Sequence, residues 1–168
     1  MIVPPTDAQI EEYKNIEVID VDVEQAEYLQ TIAQGWAYPL DRFMNEQELL
    51  ECMHLKSITK NGEKHVLSVP ITQYISAEEK EKVEGKKKVG IRCSKLSPDL
   101  LAVINEPVIF ENRKDEICTR VFGTYGKNHP KTERILAQGD FLISGESMHF
   151  LQDVKFNDDL DHYRLTPE

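Results

Sequence analysis

The chain has 168 residues, 40% of them hydrophobic, and carries 20 Lys and Arg against 30 Asp and Glu, a formal net charge of -10 at pH 7. That length suits one compact domain with a real core, and the acidic balance opposes non-specific binding to nucleic acid or an anionic membrane, since each phosphate contact needs a local cation. No apolar run approaches the ~20 residues of a membrane helix, and "MIVPPTDAQ" lacks a signal-peptide layout, so an intracellular, cytoplasmic location is expected, with the nucleus left open.

Residues 1–20 hold two prolines, several acids and the run "IEVIDV", which predicts an extended arm or linker ending in a short strand. From Asp22 the pattern changes. Its capping spacing to Gln25, apolar positions at Val23, Ala26, Leu29 and Ile32 or Ala33, and Gly35 at the end predict a helix. Asn45 and Glu48 repeat that spacing ahead of a short helix with Leu49, Leu50 and Met53 on its buried side. "LKSITKNGEKHVLSVPI" then sets two β-prone runs about Asn61-Gly62, a dipeptide that accepts positive φ at both centres of a type I′ turn. Pro70 cannot donate to a ladder, which puts "VPITQYI" at a sheet edge or a bulge.

Ser76 with Glu79 opens a small solvated helix stopped by Gly85, and the lysines of "KKKVGIRCS" read as solubilising edge charges on the next strand. "DLLAVINEPVIF" predicts a strand interrupted by a turn at Asn105 to Pro107, and "NRKDEICTRVFG" a helix closed by Gly123. "HPKTERILAQG" is a helix with Pro130 at its first position and Gly139 as its stop, and "DFLISGESMHFLQDVKF" predicts two strands joined around Gly145. The order is mixed, neither alternating βαβ nor all-β, which means an α+β fold with a largely antiparallel, barrel-like sheet. In "LDHYRLTPE", Thr166 at an N-cap, Pro167 after it and Glu168 in the first turn read as the opening of a helix, so truncation of a longer parent is expected.

The search for chemistry returns little. The sequence has no G-x-x-x-x-G-K-[ST] phosphate loop, no G-x-G-x-x-G and no G-x-S-x-G, and none of its histidines stand three or four apart to share a helix face. Cys52, Cys93 and Cys118 form no C-x-x-C pair and are expected as buried free thiols. Cys52 with His54 lacks a partner pair for a metal, and Asp158, Asp159 and Asp161 lack the glycine-bent loop and later Glu of a calcium site. Arg113, Lys114 and Arg120 alternate with Glu111, Asp115 and Glu116, which favours ion pairs over an anion site. Trp36, Tyr38 and Phe43 are expected to pack the first two helices onto the sheet.

Taken together, "QGWAYPLDRFMNEQELLECMH", "LSVPI", "INEPVIFENRKDEICTRVFGT", "KNHPKTERILAQGDFLISG" and "DDLDHYRLTPE" resemble the N-terminal domain of ATP sulfurylase, most closely the sulfurylase half of animal bifunctional PAPS synthases. The resemblance implies a PUA-like β pseudobarrel with flanking helices. It divides the chain into residues 1–20 as a linker or arm following an APS kinase half, 21–160 as the PUA-like domain, and 161–168 as the junction to a catalytic domain. The implied parent makes adenosine 5′-phosphosulfate and pyrophosphate from Mg-ATP and sulfate. The family's Q-x-R-N-P-x-H-x-x-H signature is absent from these residues, so no catalytic, cofactor-binding or metal residue is assigned, and the chain alone is predicted to be inactive.

Expected partners are the catalytic domain of the same polypeptide, with homodimerisation of the parent left open, and neither nucleic acid nor membrane. The alternative is a stand-alone PUA-like binding or assembly module. Two segments depart from the family pattern: Arg42 stands where glycine commonly precedes the Phe-Met pair, and "RCSKLSPDL" replaces the usual wording before the "NEP" turn.

Overall fold

A computed structural model describes residues 2–126 and 128–166. One sheet holds β1 (Glu17–Asp20), β4 (Gln73–Ile75), β5 (Lys88–Arg92), β6 (Leu100–Glu111) and β7 (Phe141–Phe150) in the order β1-β5-β6-β7-β4. β2 (Ser57–Lys60) and β3 (Glu63–Val66) form a separate hairpin. Apart from the parallel β1–β5 pair, all neighbours run antiparallel. Around them lie α1 (Asp7–Tyr13), α2 (Val23–Ala33), α3 (Glu46–Leu55), α4 (Ala77–Val83), α5 (Lys114–Phe122) and α6 (Pro130–Ala137). The sheet curls into a half-barrel and the class is α+β, as expected.

Local signals set most boundaries. The Asp22 carboxylate accepts the Gln25 amide at 2.8 Å, and Asn45 and Ser76 complete reciprocal capping boxes with Glu48 and Glu79. Asn61 and Gly62 take φ of 54° and 81°, the left-handed pair that closes the β2–β3 hairpin. β4 begins only after Pro70 and lies on the sheet edge, where a missing N–H costs no ladder bond.

The arm is more than an arm. Residues 7–13 form α1 behind a capping box, with the Thr6 amide donating to Gln9 Oε1 at 2.9 Å. Val3 N–H donates to Phe150 O at 2.9 Å, and His149 joins the arm to the sheet, its Nε2 lying 2.7 Å from Val3 O and its Nδ1 3.0 Å from the Tyr13 hydroxyl. The physical reason lies in β6. Its run "LLAVI" sends Ala102 and Ile104 into the main core with Ala26, Leu29 and Ile32, and Val103 into a cluster with Tyr13 and Leu151. A strand apolar on both faces needs cover on both, and α1 supplies the second.

The turn expected at Asn105 to Pro107 is a kink in a continuous strand. β6 pairs with β7 in one unbroken register from Ala102↔Phe150 to Glu111↔Phe141. Glu106 takes φ 44° and turns its N–H to Lys87 O at 2.8 Å. Pro107 faces Gly145, and a Cβ there would lie 2.4 Å from Asn105 O, so Gly145 marks a close approach and β7 is a single strand where two were expected. Gly139 has the same explanation: a Cβ would lie 2.1 Å from Ile75 O, and its φ is not left-handed, so it is a contact glycine where a cap was expected. Beyond the kink, Phe110 and Leu142 meet Leu49, Met53, Ile117 and Ile135 in a second cluster that seats α3, α5 and α6. The helix start predicted at the tail falls on residues 167 and 168, outside the described residues.

Candidate interaction surface

The residues singled out for chemistry do not converge. Cys52 is buried in α3, its S–H donating to Leu67 O at 3.1 Å, and burial pushes the thiol up to about 11. His54, two residues along the same helix and so on the opposite side, meets the Glu116 carboxylate at 2.7 Å. Cys93 and Cys118 are likewise buried free thiols. Among the described residues no group of three or more His, Cys, Asp and Glu side chains gathers to hold a metal ion. Arg113 is engaged by Glu46 at 2.9 Å and Glu116 at 3.7 Å, and Lys114 by Asp140 at 2.7 Å; ion pairs form as expected, but of the alternating acids Glu116 alone takes part among the described residues, and the nearer partners are distant in sequence. Lys86 and Lys88 lie against Glu17 and Glu12.

The acidic tail and the aromatic segment behave differently from expectation. Asp158 and Asp161 grip Arg164: Nη1 lies 2.6 Å from Asp158 Oδ1 and 2.8 Å from Asp161 Oδ1, and Nη2 lies 2.8 Å from Asp158 Oδ2. The guanidinium also covers the Phe156 ring at 4.4 Å. Hydrogen bonds from Arg164 draw the Asp158 carboxyl down to about 2. Of the three aromatics expected to pack inward, only Phe43 is buried; Trp36 and Tyr38 are 62% and 75% exposed. The chain reverses just after α2, with Tyr38 N–H donating to Gly35 O at 3.2 Å, so these two rings emerge on the rim of the helix.

There the two surprises meet. A groove of about 520 Å³ runs between the outer face of α2 and the tail, with Trp36, Phe156, Tyr163 and Leu165 on its walls and Glu27 on its rim. Tyr163 and Leu165 are 71% and 72% exposed. The tail is fastened to α2 beneath this opening: Val154 N–H donates to Gln30 Oε1 at 2.6 Å, inside the core. The Asp161 carboxylate accepts the amides of Phe156 and Asn157 at 3.2 and 2.9 Å. These bonds hold the groove wall in one shape.

α2 is braced on its other side. Lys131 of α6 donates to the Glu24 carboxylate and lies 2.7 Å from the Tyr28 hydroxyl, which itself donates to Glu24 at 3.0 Å. Burial pushes the Glu24 carboxyl up, but the hydrogen bonds from Lys131 and Tyr28 outweigh it and hold it below its ordinary value. Sequence reasoning missed this brace, whose partners lie 107 positions apart with no local pattern to join them. The groove did leave a sign, since Phe156, Tyr163 and Leu165 are apolar positions in an otherwise acidic, solvated stretch.

A PUA-like domain model matches residues 3–152. The chain is 32% identical over 172 residues to ATP sulfurylase 2 of Arabidopsis thaliana, an alignment covering 100% of the chain and 36% of that protein. It is 32% identical over 143 residues to the chloroplastic ATP sulfurylase 4 of the same plant, covering 84% of the chain and 30% of the relative. A sulfate adenylyltransferase of Carboxydothermus hydrogenoformans is 25% identical over 143 residues, covering 84% and 36%. The chain thus spans about a third of the length of these curated relatives. Among solved structures, a hexameric APS kinase from Thiobacillus denitrificans superposes with a TM-score of 0.66 at 14% identity, over 99% of this chain and 28% of that one, a likeness of fold.

Proposed function

The chain belongs to the PUA-like domain family, and from that premise we propose that it is the non-catalytic N-terminal domain of a sulfate adenylyltransferase. The observation that carries this reading is the end-to-end match to a sulfurylase almost three times its length. The parent would join the α-phosphorus of Mg-ATP to sulfate, releasing pyrophosphate and giving adenosine 5′-phosphosulfate. That chemistry brings two anions together and requires convergent cations and in-line geometry. A chain of net charge -10 in which most of the arginines are tied to carboxylates is suited to a different task. Its role is to support: a rigid half-barrel that orients the catalytic region, toward an APS kinase half where the parent carries one, and toward a second subunit where the parent dimerises.

No helix of the described residues is long and apolar enough to cross a membrane, and a cytoplasmic site of action is part of this reading. Sulfate-dependent exchange of labelled pyrophosphate into ATP, measured on the purified chain, tests it. No exchange above the blank is expected. Exchange that requires sulfate would place the active site within these residues and overturn the assignment.

A further inference from the structure

We propose that the groove between α2, Trp36 and the 156–165 tail is the seat on which the catalytic region of the sulfurylase polypeptide docks, through a segment of apolar side chains flanked by Lys or Arg; this rests on the function proposed above. Single exposed apolar residues are ordinary on a protein surface. Here Trp36, Tyr163 and Leu165, each more than half exposed, line one opening of about 520 Å³, and clustering of that kind marks a contact surface. The walls are preformed. Arg164 holds Asp158 and Asp161, Asp161 holds the amides of Phe156 and Asn157, and Val154 N–H is anchored on Gln30. A partner therefore spends little free energy ordering the site before it gains from burial.

Charge and length choose the occupant. Glu27 stands exposed in the groove of a chain of net charge -10, and the charge of Arg164, which also lines it, is taken up by Asp158 and Asp161, so the facing surface is basic. A polypeptide that gathers ATP and sulfate must itself concentrate cations. In the relatives about two thirds of the length lies outside the region aligned with this chain. A second copy of the chain would instead set Glu27 near Glu27 and one acidic surface against another, which like-charge repulsion opposes.

Trp36 is the one tryptophan of the sequence, so 5-fluorotryptophan labelling puts a single fluorine reporter in the groove. The labelled chain is titrated with the part of Arabidopsis ATP sulfurylase 2 that lies outside the aligned region, and association is followed in parallel by calorimetry. The expected result is a saturable shift of the fluorine resonance at the calorimetric stoichiometry. Binding should weaken at least tenfold in Tyr163→Ser/Leu165→Ser, and also in Glu27→Lys, an exposed charge reversal that leaves the fold intact. Calorimetric binding without a shift at Trp36, or with full affinity in both variants, overturns the groove and leaves the proposed function standing. A shift that grows with the concentration of the chain alone assigns the groove to a second copy and likewise overturns it. Absence of association by both readouts, with no gain in exchange activity on mixing, removes the seat and the supporting role together.

Discussion

Arg42 and Glu48 form a bidentate pair, Nη1 to Oε2 at 2.6 Å and Nη2 to Oε1 at 3.2 Å, with 13% and 10% of their side chains exposed. Glu48 Oε2 also accepts the Asn45 amide at 2.9 Å, so one carboxylate caps α3 and clasps the loop before it. Arginine stands here where the resembled family commonly has glycine, and its guanidinium also donates to Phe43 O at 3.1 Å. Arg42→Gly leaves Glu48 buried without its cation and should cost about 3 kcal/mol in urea unfolding. The double variant Arg42→Met/Glu48→Gln should lose less than the sum of its single changes, because the two positions share one interaction.

Tyr13 ties the amino-terminal helix to the sheet twice, by packing on Val103 and Leu151 and by its hydroxyl on His149. Tyr13→Phe keeps the packing and should cost about 1 kcal/mol, the net worth of one hydrogen bond. Tyr13→Ala should cost about 3 kcal/mol and expose Val103. Amide exchange at residues 2–20 reads the difference; an arm that exchanges freely in the native protein would contradict the packing.

Gly139 and Gly123 separate two reasons for glycine. At Gly123 φ is 70°, so alanine pays about 1 kcal/mol for a left-handed backbone but meets no atom within 4 Å. At Gly139 the added methyl would drive against the Ile75 carbonyl at 2.1 Å. Backbone must move there, and the loss should be about 3 kcal/mol. Denaturation midpoints that rank Gly123→Ala below Gly139→Ala would reverse this account.

Acid should loosen the tail in a defined window. The hydrogen bonds from Arg164 lower the Asp158 carboxyl from 3.8 to about 2 in the folded protein. Their stabilisation is fully present above the ordinary value near 3.8 and is lost as pH falls through about 2. The amide resonance of Leu160, which donates to Asp158 Oδ1 at 3.0 Å, should hold its neutral-pH position to about pH 4 and move as pH falls through about 2. A midpoint at the unperturbed carboxylate value would mean the Arg164 contact does not persist in solution.

What could be read in advance followed the distance of the interaction along the chain. Asp22, Asn45 and Ser76 cap helices by bonds to residues three positions away, and Asn61-Gly62 closes a turn within itself, so composition carries the geometry. Thr6 and Gln9 carried the same local signal, masked by the neighbouring Pro4 and Pro5. Asn105 to Pro107 has turn-like residues in a strand because a kinked strand and a reversed chain ask for the same backbone freedom; only the β7 partner decides between them. Trp36 and Phe43 are both aromatic and seven positions apart, yet one is exposed and the other is not. Phe43 is met by Ser144, whose hydroxyl donates to Phe43 O at 2.6 Å from 101 positions away, a contact no local pattern carries. The groove required the tail to fold back on α2, which rests on bonds such as Val154 N–H to Gln30 across 124 positions.

The unbroken β6–β7 ladder also orders events during synthesis. β7 lies between β6 and β4, so both must wait for residues 141–150 before either gains its neighbour on that side. A ribosome that has released only the first hundred or so residues therefore holds β4 as a piece without its strand partner. The last long strand to emerge is the one that joins the two sides of the sheet, and a chain stalled before Phe141 would leave two open edges to a chaperone or to another chain.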